Sequence, residues 1–127
     1  MSELPCLELS VVLWLIHVIV QASFARAEFG DDFQAGARDV KPTPKRAITG
    51  RAHRALHNYL ENYPAFIAVD LALIATQHTG GWGATIWIIA RIVYLPLYLS
   101  GVKYVRTLCW IISIVGLLMM LARLAGY

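Results

Sequence analysis

Charged residues are scarce in this chain. Asp, Glu, Lys and Arg make up 15 % of its 127 residues, while 58 % are hydrophobic. A soluble domain carries roughly 25 % charged and roughly 45–50 % apolar residues, so the deficit points to lipid rather than water as the main solvent. No Lys or Arg occurs before Arg26. Cysteine is nearly absent too. Cys6 and Cys109 are the only two, and the topology derived below separates them in membrane depth, so no disulfide is expected. No Cys/His spacing of a zinc site is present. His53 and His57 stand four residues apart but lack a third ligand nearby, and no metal is expected. There is no internal repeat and no low-complexity segment. A chain this apolar has no long solvated basic face, which leaves nucleic acid without a surface to bind.

Four apolar segments are present, at about 7–25, 52–78, 82–100 and 104–125. Each approaches the roughly 20 residues that a helix needs to cross the hydrocarbon core. The Gly-rich stretch QHTGGWG separates the second from the third, and LSGVKY separates the third from the fourth. Short connections favour antiparallel neighbours. The expected fold is therefore all-α, an integral membrane up-down four-helix bundle forming one domain over 1–127, with a long loop at about 26–51. Pro42 and Pro44 stiffen that loop, and Thr49 is the expected N-cap of the second helix. Ala25-Arg26-Ala27 resembles a signal-peptide cleavage site, but Met1 to Glu8 carries Glu3 and Glu8 and no basic residue, the wrong sign for a secretory signal. The first segment is therefore expected to remain as a helix.

Seven of the eleven basic residues lie between Arg26 and Arg54. The 26–51 loop and the loop carrying Lys103 and Arg106 fall on the same side of a four-span chain. The positive-inside rule then places both loops in the cytoplasm and both termini outside.

Polar groups inside spans are costly and point to function by default. In RAHRALHNYLENYPAF, Arg51, Arg54, Asn58 and Glu61 recur at spacings of three, four and three, so they share one helical face over about 15 Å. An interfacial collar binding lipid phosphates accounts for such a stripe as naturally as a site for a polar zwitterionic ligand. On the third segment Arg91, Tyr94 and Tyr98 also share a face. Asp70 and Arg91 both fall near mid-membrane, and each needs a partner there. An Asp70–Arg91 pair is the expected solution. Arg106 and Thr107 open the fourth segment at the same end as the stripe, where Arg106 also suits a positive-inside anchor. Cys109 reads as a small buried residue.

Three stretches, RAHRALHNYLENYPAF, ARIVYLPLY and YVRTL, resemble the pattern of the MAPEG family, the membrane-associated proteins of eicosanoid and glutathione metabolism. The likeness extends over essentially all of the chain after the first segment, which matches only as an apolar span. It implies four transmembrane helices, a homotrimer, and a cytoplasmic-side site between subunits that binds glutathione. Arg54, Asn58 and Glu61 match the family's glutathione contacts, and Arg51 matches a flanking arginine. Tyr94 and Tyr98 match a third-helix pair. Arg106 matches the arginine that stabilises the thiolate, and Thr107 stands where a relative carries serine. Trp110 stands where that relative has tyrosine.

The resemblance implies glutathione-dependent conjugation or peroxide reduction of lipophilic electrophiles, in a bacterial-type inner-membrane protein whose partners are the bilayer, glutathione and a lipophilic small molecule. Because one family member shares the fold and catalyses nothing, binding of a lipid or partner without catalysis stands beside the enzymatic reading. A small transporter or channel subunit using Asp70 and Arg91 is a third class, testable by flux in liposomes.

Overall fold

The computed structural model describes residues 1–127 and is helical with no strand. Five helices follow one another: α1 (Glu3–Phe29), α2 (Asp31–Ala35), α3 (Ala47–Ala75), α4 (Gly83–Ser100) and α5 (Val105–Leu124). The all-helical class is as expected, but the helices number five rather than four. The added one, α2, is a five-residue turn inside the 26–51 stretch expected as loop. It starts after Gly30, whose φ of +87° ends α1. Glycine reaches that region without a Cβ penalty. Up to that point nothing breaks the helix, so α1 runs straight through Ala25-Arg26-Ala27.

The second long helix also begins earlier than expected. Its N-cap is Arg46, not Thr49, and Thr49 sits buried inside the first turn. A side chain from another helix does the capping. Glu28 Oε1 accepts the backbone N–H groups of Lys45 (2.5 Å) and Arg46 (3.0 Å), supplying an acceptor where free helical N–H groups collect. The last turn of α1 is thereby tied to the first turn of α3.

By length and composition α1, α4 and α5 are apolar enough to cross a membrane. The charges and histidines in its first half keep α3 outside that group. Contacts at the helix ends show that successive long helices run in opposite directions. At one end Glu3 Oε1 accepts the Gly80 N–H at 2.6 Å, and the Met1 ammonium donates to Thr85 Oγ1 at 3.1 Å. At the other end Arg51 Nη1 donates to the Leu99 carbonyl at 3.2 Å. Cys6 and Cys109 are both unpaired and buried.

The core is aromatic where α1, α3 and α4 meet. Phe66 stacks on Trp87, with centroids 4.0 Å apart, and Tyr59 meets Trp87 edge-on. Polar tips inside this core are satisfied across helices: the Tyr59 hydroxyl donates to the Ser10 carbonyl (2.6 Å), and Ser10 Oγ lies 3.1 Å from the Tyr63 hydroxyl. His17 faces inward, its ring tilted against Tyr59 with centroids 4.6 Å apart, and Nδ1–H donates to the Leu13 carbonyl. Outward positions such as Ile16 and Ile19 on α1, Ile92 on α4 and Leu118 on α5 are exposed apolar residues, as lipid contact requires.

Between α4 and α5 the backbones touch. A Cβ on Gly83 would lie 2.6 Å from the Gly116 carbonyl oxygen, and one on Gly116 would lie 2.7 Å from the Gly83 carbonyl oxygen. In lipid, such small-residue contacts do much of the work of association, because burial from water contributes little there. Gly116→Val forces these helices apart and is expected to destabilise the purified protein by about 1–3 kcal/mol. A thermal melt in detergent checks this, with Leu118→Val on the exposed face expected to melt as the wild type does.

Candidate functional site

The basic end of the molecule is built from the start of α3, the end of α4 and the start of α5. The helical stripe on α3 does not act there as one unit. Arg54 and Glu61 are exposed, Asn58 is half-buried, and the three line a cavity of about 340 Å³ together with His53, His57 and Tyr98. Arg51 lies outside this lining. Its guanidinium turns to the α4 C-terminus, where it meets the Leu99 carbonyl and packs against Gly101. Helix C-termini present free carbonyls and favour a cation, which explains the diversion. A Cβ at Gly101 would come within 2.7 Å of that guanidinium, and its φ of +73° suits glycine.

The fourth-segment arginine, on α5, does not line the cavity but reaches one of its lining residues. Arg106 Cζ stands 4.5 Å from the centroid of the Tyr98 ring, a cation–π contact. Tyr98 in turn packs against Tyr94, centroids 5.4 Å apart. Tyr94 is 4 % exposed and sits beneath the cavity rather than in its wall. Thr107 is exposed and makes no side-chain hydrogen bond to the other site residues. Of the expected set, Arg54, Asn58, Glu61 and Tyr98 line one cavity, and Arg106 touches it only through the Tyr98 ring. Tyr94 supports them from below, and Arg51 and Thr107 stand aside.

Beneath the cavity lies the largest departure from expectation. Arg91 does not pair with Asp70. Its Nη1 donates to Asn58 Oδ1 at 2.8 Å, and its Nη2 donates to the Asn58 carbonyl at 3.2 Å. The guanidinium is also surrounded by the rings of Tyr94, Tyr59 and Trp87, at 5.2, 5.5 and 5.6 Å from their centroids. Because α3 and α4 run antiparallel, residue 91 comes level with residue 58. Asp70 lies twelve residues further along α3, about 18 Å away. It is fully buried toward the other end, and neither carboxylate oxygen has a hydrogen-bond partner.

Two further residues belong to the cavity. His57 Nε2 is 3.3 Å from Glu61 Oε1, and His53 lines the opening. The signal for His57 was its i, i+4 spacing from Glu61, which makes the two neighbours on a helix. No three His, Cys, Asp or Glu side chains converge as metal ligands. Chemically, the cavity offers a guanidinium, a carboxylate, an amide and a phenol within one wall, with a second guanidinium over the phenol. That set suits a ligand carrying both carboxylate and ammonium groups.

The family model of the MAPEG family matches residues 6–126. No curated protein and no solved structure matches the chain.

The Arg91–Asn58 contact is expected to behave as a coupled pair. Asn58→Leu strands a buried guanidinium and should cost about 3–5 kcal/mol. The double variant Asn58→Leu/Arg91→Leu should be less destabilised than the sum of the single variants by about 1–3 kcal/mol. Unfolding midpoints of the four proteins measure that coupling, and strict additivity would show that the contact carries no energy.

Proposed function

The chain belongs to the MAPEG family, and from that premise we propose that it binds glutathione in the α3 cavity and uses it against lipophilic electrophiles, by conjugation or by peroxide reduction. The observation that carries this reading is the meeting of Arg54, Asn58, Glu61 and Tyr98 around one cavity. Glutathione carries two carboxylates and one ammonium. Arg54 offers a forked donor to a carboxylate, Glu61 accepts from the ammonium, and the Asn58 amide and Tyr98 hydroxyl fix orientation between them. Arg51, Thr107 and Tyr94 stand at the margin of this arrangement as flanking and supporting groups.

Arg106 supplies the activating charge. A guanidinium beside a thiol favours the anion and lowers its pKa, which is the general route to a reactive thiolate at neutral pH. Bound glutathione provides that nucleophile, and the protein holds it at the lipid boundary. The lipophilic partner arrives sideways. An apolar groove of about 250 Å³ between α4 and α5 ends at Cys109, one helical turn from Arg106. It gives a membrane-dissolved substrate a path to the same level.

In the membrane, α3 is the second span of an up-down four-helix bundle, with its polar half at the cytoplasmic boundary of the inner membrane and both termini on the far side. The exposure of Arg54, His57 and Glu61 on a single chain supports a homotrimer in which a neighbouring copy closes the site. The alternative, a lipid- or partner-binding protein of the same fold without catalysis, draws support from Arg106 itself, whose guanidinium is engaged by the Tyr98 ring.

Thiolate formation separates the two readings. Glutathione added to the purified protein is expected to develop thiolate absorbance in the ultraviolet. In Arg106→Ala its titration should move to higher pH by roughly one to three pH units, because loss of a neighbouring cation disfavours the anion. Binding without thiolate formation would assign the chain to the non-enzymatic class, and absence of both would remove the glutathione reading.

A further inference from the structure

Asp70 on α3 is a buried acid that the glutathione site does not use. It is 0 % exposed, and neither carboxylate oxygen accepts a hydrogen bond. No cation stands within ion-pair distance of it, since the ion pairs of the chain are Arg26–Asp31 and His57–Glu61. The start of α1 packs against this part of α3 and brings Glu3 and Cys6 to its surroundings. The donors at this end are spent on other groups. The Gly80 N–H goes to Glu3 Oε1, the Met1 ammonium goes to Thr85 Oγ1, and the Cys6 thiol is paired with the same threonine.

From the remaining sides no compensating charge arrives. The cation of α4, Arg91, is bound to Asn58, about 18 Å along α3 from Asp70. α5 turns Ser113, Gly116 and Met120 inward, and its Arg123 stands beyond them, beside Gly81 in the α3–α4 turn. His78 in that turn is exposed. An ionised Asp70 would therefore meet Glu3, a charge of its own sign, and no cation. Burying an ion without a counter-charge is costly enough that such a group is neutralised instead. A metal ion is a poor neutraliser here. Asp70, Glu3 and Cys6 line none of the cavities between the helices, and no three metal-ligating side chains converge. A proton needs neither room nor a ligand shell.

We propose that Asp70 is a proton-binding site, and that its proton keeps the closed end of the bundle shut between the start of α1 and the second half of α3. The bound proton turns an acceptor-only carboxylate into a group with one O–H donor, which is what this end lacks. It also leaves Glu3 as the single acid there that can carry charge. Release of the proton sets two carboxylates of one sign against each other inside the helices. The first turns of α1 are then pushed off α3 and the α3–α4 turn. The inference does not depend on glutathione binding, since Asp70 lies at the opposite end from the residues proposed to hold it.

Infrared spectroscopy of the full-length protein in lipid at neutral pH tests this. The wild type should show the carbonyl stretch of a protonated carboxyl group. Asp70→Asn should abolish that band, and Glu3→Gln should retain it. Should the asparagine variant melt early, wild type made with isotope-labelled aspartate carries the same test. The band then shifts, and Asp70 is its source, because Asp31, Asp32 and Asp39 are all exposed. Hydrogen exchange tests the latch. After correction for intrinsic rates, the Gly80 amide and the first turns of α1 should exchange roughly ten-fold faster at about pH 9 than at about pH 6. In Asp70→Asn they should stay protected at both. Absence of the band overturns the proposal, as does a band that survives Asp70→Asn or ignores the aspartate label. A band lost on adding sodium would assign the site to a metal cation and overturn it too. Exchange with the same pH dependence in wild type and Asp70→Asn would overturn the latch.

Discussion

A guanidinium buried among helices in lipid must find its counterparts inside the protein, and Arg91 finds them in Asn58 and three aromatic rings. The rest of the basic end depends on that solution. The two hydrogen bonds set α4 level with α3, so Tyr94 and Tyr98 arrive beside the polar half of α3 rather than a turn above or below it. Tyr98 then presents its ring to Arg106 from α5. Three helices are brought to one depth by a single buried cation, and the cavity walls follow from that registration.

The opposite end is held by different means. There Glu3 and the Met1 ammonium reach across to Gly80 and Thr85, and α4 and α5 approach to backbone contact at Gly83 and Gly116. Close glycine packing fixes one end of the α4–α5 pair, and a polar network governs the other. A cavity opens at the end where side chains, rather than touching backbones, set the spacing. Asp70, buried near the closed end without a hydrogen-bond partner, takes no part in the basic site.

Much of the architecture was legible from hydropathy and charge. The apolar segments located the long helices, and the spacing of Arg54, Asn58 and Glu61 put them near one another. What failed was information about level and competition. A helical wheel shows which face Asp70 and Arg91 occupy but not which residues of an antiparallel neighbour stand opposite, so the expected pair was misplaced by about 18 Å. Arg51 matched the stripe by spacing, yet the free carbonyls at the end of α4 offered it a stronger attraction. Thr49 looked like a cap because its residue type favours that role, but the helix starts earlier, at Ala47 after Arg46, where Glu28, distant in sequence, holds the Lys45 and Arg46 N–H groups. The short α2 carries no apolar periodicity long enough to announce it.

The central claim is that the polar half of α3, with Tyr98 and Arg106, forms a binding site for a zwitterionic thiol. Equilibrium binding of labelled glutathione to the protein in lipid nanodiscs tests it most directly. The account predicts saturable binding that weakens by roughly ten-fold or more in Arg54→Ala and in Glu61→Gln, the cost of losing a charge-assisted hydrogen bond. Lys45→Ala, away from the cavity, should leave it unchanged. Binding that is absent, or that ignores Arg54 and Glu61, would contradict it.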